Sequence, residues 1–213
     1  MSLAAADPDT DASPKRRAIL EAAAALFMAE GLAAVSMDAV ARAAGVSKAT
    51  LYAHFSGKDA LFTEIVQGNC RRLQGSVDAA LVDHALPLEQ ALAQLGTGWL
   101  GFLLQPKVRA LHRVVLAESG RSPELAAAFY QAGPVTLRRW LEQWLEGEKA
   151  RGRLAPGASE TLVAEQFFAL LRGDLFMRAT LNLAPDISPE AVAAQAAAAA
   201  RAIVRLYGAD AAG

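Results

Sequence analysis

Apolar residues recur along most of this chain at spacings of three and four, the period of helices that bury one face. No alternating strand pattern persists, and Ala, Leu, Glu, Gln and Arg dominate. The first run predicts a helix from Pro14 to about Glu30, with Ile19, Ala22, Ala23, Leu26 and Phe27 as its stripe and Gly31 as its end. A second short helix is predicted from Ser36, its N-cap, to Ala44, with Val35 and Val40 spaced as a hydrophobic staple. Gly45 makes a turn into a third helix, Ser47 to His54. At 100° per residue, Val46, Leu51 and Phe55 gather near one side of it, Lys48, Ala49, Tyr52 and Ala53 on the other, with Thr50 and His54 between. Ser56-Gly57-Lys58-Asp59 resembles a capping box and opens a long fourth helix, to about Val82.

The remaining pattern predicts helices over Leu88–Leu104, Lys107–Ser119, Pro123–Ala132, Pro134–Arg151, Ser159–Leu183 and Pro189–Tyr207, with a turn from Gly152 to Gly157. Pro87, Pro106, Pro134 and Pro185 fall at the joints. Ser13-Pro14, Ser122-Pro123 and Ser188-Pro189 each place a capping hydroxyl before a proline at the first helical position. The predicted fold is all-α: a three-helix head over residues 13–57, joined by the long helix to a larger helical domain over residues 58–208. Residues 1–12 are small, acidic and unpatterned, and read as a disordered tail.

Composition narrows the function. Of 213 residues, 54% are hydrophobic, enough for a substantial core. No apolar run approaches the ~20 residues of a membrane span, and no secretory signal pattern opens the chain. Cys70 is the single cysteine, so no internal disulfide forms, and cytoplasmic residence is the simplest reading. The histidines His54, His84 and His112 are scattered, and no metal-ligand spacing, nucleophile elbow or phosphate-cradling glycine loop occurs. Neither catalytic residues, nor a metal, nor a cofactor is expected.

Net charge is -1, which argues against nucleic acid until its distribution is considered. Between Lys15 and Lys58, six basic residues stand against three acidic ones, giving +3 where the third helix lies. A seven- or eight-residue helix cannot persist alone, so its neighbours must brace it. A braced short helix with Lys, Thr, Tyr and His on its outer face suits a DNA major groove. Lys48 is the candidate donor to guanine. Ala49 and Ala53 allow close approach and methyl contact. Thr50, Tyr52 and His54 are candidate phosphate donors, as is Lys58 at a helix start. Ser36 and Ser47 are caps first and phosphate donors second, and Lys15, Arg16 and Arg17 could follow the backbone or enter a minor groove.

Residues Ala18 to Phe62 resemble the DNA-binding head of TetR-family transcriptional regulators. The resemblance rests on Gly45-Val46-Ser47, on Thr50-Leu51-Tyr52-Ala53-His54-Phe55, and on Lys58. It implies that Thr50, Tyr52, His54 and Lys58 hold phosphates and that Lys48, Ala49 and Ala53 face bases. Ser122 to Pro134, Arg151 to Leu154 and Glu165 to Gly173 are similar to the C-terminal domain of the AefR-like subgroup. That likeness implies a small-molecule effector, a homodimer built on the last two long helices, and a palindromic double-stranded DNA operator released when the effector binds. Trp99, Phe102, Phe129, Trp140, Phe167 and Met177 are candidates to line the effector cavity, or equally to fill the core. A helical small-molecule-binding adaptor without DNA activity is the alternative reading.

Overall fold

The computed structural model describes residues 13–81, 86–183 and 187–212. The expected tail at 1–12, the expected helix end at Val82 and the joint at Pro185 lie outside them. The described residues are helical almost throughout: α1 Pro14–Glu30, α2 Met37–Ala43, α3 Lys48–His54, α4 Lys58–Leu81, α5 Leu88–Leu103, α6 Pro106–Glu118, α7 Pro123–Tyr130, α8 Thr136–Ala150, α9 Glu160–Thr180 and α10 Pro189–Tyr207. Among them the β-structure recorded is an isolated antiparallel bridge between Leu154 and Gly208.

The expected serine caps form for α1, α2, α3 and α10, and Ser159 caps α9 in the same way. The hydroxyls of Ser13, Ser36, Ser47, Ser159 and Ser188 accept backbone N–H groups of Arg16, Ala39, Thr50, Leu162 and Ala191. Ser122 differs from expectation. Its own N–H is spent on the Glu118 carbonyl, its backbone sits at φ -134°, and its side chain makes no capping bond. The first bond of α4 runs from the Leu61 N–H to the Gly57 carbonyl, which moves the start one residue beyond Ser56. At Gly45 (φ +65°) the chain leaves α2 through paired bonds, Gly45 N–H to Arg42 O and Val46 N–H to Ala41 O, a left-handed exit that glycine adopts without strain. Asn182 (φ 58°) ends α9 in the same way, so the helix predicted to reach Leu183 stops at Thr180.

Two further expectations are corrected. Pro134 does not separate two helices: Gln131–Val135 forms a π turn directly between α7 and α8. The wider turn accommodates a residue that has no N–H to give. Gly173, inside the predicted last-but-one helix, has φ 44° and ψ -157°, and breaks α9. The Gln195 side-chain amide donates to the Leu170 carbonyl beside this break, at 2.6 Å.

The described chain forms two compact units. The first comprises residues 13–72 and 110–134, and the second residues 73–109 and 135–212. In the first, Ile19, Phe27, Val35, Val40, Leu51, Leu61, Phe62 and Val66 are buried. Val35 and Val40, spaced as a staple across the start of α2, are both buried. In the second, Leu92, Leu95, Trp99 and Leu100 of α5, Leu141 and Leu145 of α8, Val163, Phe167 and Leu171 of α9, and Ala196, Ala200 and Ile203 of α10 make the core. Gly96 lets α9 and α10 close on α5: a β-carbon there would stand 3.1 Å from both Ala196 Cβ and a Leu171 methyl. The Glu148 carboxylate is fully buried and ion-paired to Arg151 at 3.0 Å and Arg153 at 2.7 Å, and Arg153 also donates to the Leu86 carbonyl.

Candidate nucleic-acid interface

Helix α3 is seven residues long and is held from one side. Leu51 is fully buried, Phe55 nearly so, and Val46 half-buried. At its start the Ser47 hydroxyl accepts from the Thr50 N–H at 3.0 Å and shares a hydrogen bond with the Thr50 hydroxyl at 2.8 Å. Its opposite arc is open: Lys48, Ala49, Tyr52, Ala53 and His54 are exposed, with Tyr52 at 53%. Thr50 is half-buried. The anticipated division of this helix into a packed and a solvent-facing side is therefore observed.

The cations around it are less available than the sequence suggests. Lys48 Nζ lies 2.6 Å from an Asp38 carboxylate oxygen on α2. Arg16 stands over the Phe55 ring at 5.2 Å and pairs with Glu64 of α4 at 3.0 Å. Lys58 Nζ donates to the Leu32 carbonyl at 2.8 Å and the Ala33 carbonyl at 3.2 Å. Arg16 and Lys58, expected along the DNA backbone, thus have intramolecular partners that tie α1, the loop after it, α3 and α4 together. Lys15 is exposed on the first turn of α1, and Ser36 is occupied as the cap of α2.

Glu64 is the centre of that bracing. Burial raises the pKa of its carboxyl, but hydrogen bonds from Arg71, at 2.7 Å, and Arg16 outweigh it and hold the group below the usual glutamate value. Sequence reading missed Asp38 and Glu64. Asp38 lies on a different helix from Lys48, and Glu64 on a different helix from Arg16, so no spacing rule links either pair.

The aromatic candidates of the C-terminal half divide. In the second unit Trp99 is buried, stacked on Phe168 at 4.5 Å and 9°, and edge-on to Trp140 at 5.5 Å. Phe167 is buried beside Phe168, with ring centroids 6.4 Å apart. The Trp99 indole N–H is buried with no hydrogen-bond acceptor among the described residues. Phe102 is half-buried. Phe129 belongs to the first unit, where its ring meets His112 at 5.7 Å. Met177 is 58% exposed on α9, so it does not line an interior of this chain. No helix among the described residues is long and apolar enough to cross a membrane.

Comparison with known proteins agrees with this geometry. Residues 19–65 match the bacterial regulatory proteins of the tetR family, and residues 90–209 match the AefR-like transcriptional repressor C-terminal domain. The flavonoid-responsive regulator FrrA is 36% identical, with a TM-score of 0.77 over 92% of this chain and 98% of its own. A putative TetR-family regulator from Mesorhizobium loti MAFF303099 is 28% identical, with a TM-score of 0.80 over 91% of this chain and 96% of its own. The transcriptional regulator UidR of Escherichia coli K12 is 25% identical over 78% of this chain and 82% of its own length. The two matched segments take in the braced short helix and most of the helical remainder, and with them the chain belongs to the TetR family of bacterial transcriptional regulators and carries an AefR-like C-terminal domain.

Proposed function

We propose that this protein is a cytoplasmic repressor that binds a palindromic operator as a homodimer and is released by a small aromatic molecule. The observation that carries the DNA part is the open arc of α3, with Lys48, Ala49, Tyr52, Ala53 and His54 exposed on a helix whose other side is buried. Two such helices about 34–36 Å apart meet successive major-groove faces of one palindrome. Tyr52, Thr50 and His54 supply phosphate contacts, and Lys48 reads a base edge. With Ala49 and Ala53 making no hydrogen bonds, DNA shape carries a share of the selectivity.

Pairing is supported by exposed apolar side chains on α9, at its end and on α10: Leu162, Leu170, Met177, Leu181, Leu183 and Leu206. Met177, unsuited to an interior pocket, suits this contact. The effector reading draws on the Trp99, Trp140 and Phe168 rings and on the buried Trp99 N–H, which has no acceptor among the described residues. The similar regulator FrrA is flavonoid-responsive by name. A flat aromatic molecule with an oxygen acceptor fits both facts. Effector binding would favour a dimer whose heads no longer match the groove, with a coupling of about 1–3 kcal/mol.

The test is selection of bound duplexes from random DNA, followed by challenge of the selected complex with a panel of aromatic metabolites. Enrichment of a palindrome and its release by a panel member are the expected results. Absence of any DNA binding at low salt, with an aromatic ligand still bound, would favour the adaptor reading.

A further inference from the structure

We propose that Asp38 is a specificity-determining residue that, with Lys48, reads one G·C pair in each operator half-site. The proposal rests on the DNA reading of α3 given above. Lys48 Nζ and Asp38 Oδ2 are 2.6 Å apart, the side chains are 63% and 46% exposed, and the pair joins the first residue of α3 to the first turn of α2. Asp38 lies outside the set of DNA contacts expected from the sequence.

A carboxylate at the rim of a phosphate-binding face is repelled by the duplex, so its presence there needs a compensating role. The pair provides one. A lone lysine is a flexible point charge that accepts any acceptor within reach. Paired with Asp38, its ammonium has one proton engaged and two left, and it is biased towards a position beside a carboxylate that still has an acceptor oxygen.

That surface presents donors next to an acceptor. In the major groove a G·C pair offers guanine N7 and O6, two adjacent acceptors, followed by the cytosine N4 amine, a donor. Lys48 takes the guanine acceptors and Asp38 takes the cytosine amine. An A·T pair interleaves its adenine N6 donor between the acceptors and adds the thymine methyl, so the same pair of side chains cannot satisfy it equally. The pairing also offsets the charge of Lys48, which lowers its attraction to phosphates at large and leaves a larger share of binding to the base edge.

The experiment compares the wild-type chain with D38N, K48M and the double variant, by selection from random duplexes and by titration of the selected site at several salt concentrations. The expected wild-type site contains a G·C pair in each half whose replacement by A·T weakens binding roughly tenfold or more. D38N and K48M each lose that preference at the same pair, and the double variant loses no more than either. D38N also binds unrelated duplexes more tightly, with a steeper salt dependence, because the released ammonium turns to phosphates. K48M guards the test against any loss of folding in D38N, since it alters an exposed side chain on the other helix. Unchanged base preferences in D38N, or effects of D38N and K48M at different pairs, overturn the proposal while leaving the operator reading intact. A wild-type chain that enriches no sequence overturns both.

Discussion

Replacing Arg16 by methionine separates two roles for this residue, phosphate contact and internal brace. Its guanidinium pairs with Glu64 at 3.0 Å, and the two side chains are only 28% and 22% exposed. Such a pair belongs at the upper end of the range for surface ion pairs, about 1 kcal/mol. The same guanidinium over Phe55, at 5.2 Å, contributes a further ~0.5–1 kcal/mol. R16M should therefore cost about 1.5–2 kcal/mol and, in a chain of this size, lower Tm by roughly 3–8 °C. The cost has a pH signature. Glu64 titrates below the ordinary glutamate value of 4.5 when folded, so its contribution is fully present above that value and is lost as pH falls through the depressed one. The gap between the melting curves of wild type and R16M should narrow in that acid window to the part that comes from the Phe55 contact. Operator titrations should show weaker binding for R16M with the salt slope unchanged, because no phosphate contact is lost. An unaltered Tm together with a slope reduced by about 0.9 would refute the brace and restore the phosphate contact.

Removing the Glu148 carboxylate in E148A breaks its ion pairs with Arg151 and Arg153 and empties a fully buried site, and should cost roughly 1–3 kcal/mol by chemical denaturation. G173A places a β-carbon 2.8 Å from the Gln195 amide at a φ of +44°, and should destabilise by roughly 1–3 kcal/mol in the same assay. W99F removes an indole N–H that has no acceptor while keeping a ring against Phe168. The smaller ring in a fully buried site should cost roughly 1–3 kcal/mol, and the variant should still fold but show weaker effector-induced release of DNA, measured by fluorescence anisotropy.

Much of the architecture was legible because its signals are local. A serine before a helix, a glycine after one and an apolar stripe act within a few residues, and Ser13, Ser36, Ser47 and Gly45 behave accordingly. Pro134 misled because a proline rule assumes regular α-helix, whereas the chain widens locally into a π turn. Gly173 gave no warning because helix-forming residues continue on both sides of it, and the amide beside the break comes from Gln195, 25 residues beyond the Leu170 carbonyl that it reaches. At the candidate interface, exposure of the α3 face followed from periodicity. The partners of its cations did not: Asp38 and Glu64 approach Lys48 and Arg16 only through the packing of separate helices.

Gly96 sits where three helices meet, with Ala196 and Leu171 reaching into the space that a side chain would otherwise fill. Axial sliding of α10 or α9 by one helical repeat, ~5.4 Å, would drive those groups into the bulk of neighbouring turns. Like the teeth of a stopped ratchet, they permit α5, α9 and α10 to travel together but not past one another. Any shift of α9 or α10 against α5 near position 96 would therefore first have to lift Ala196 or the Leu171 methyls out of that space.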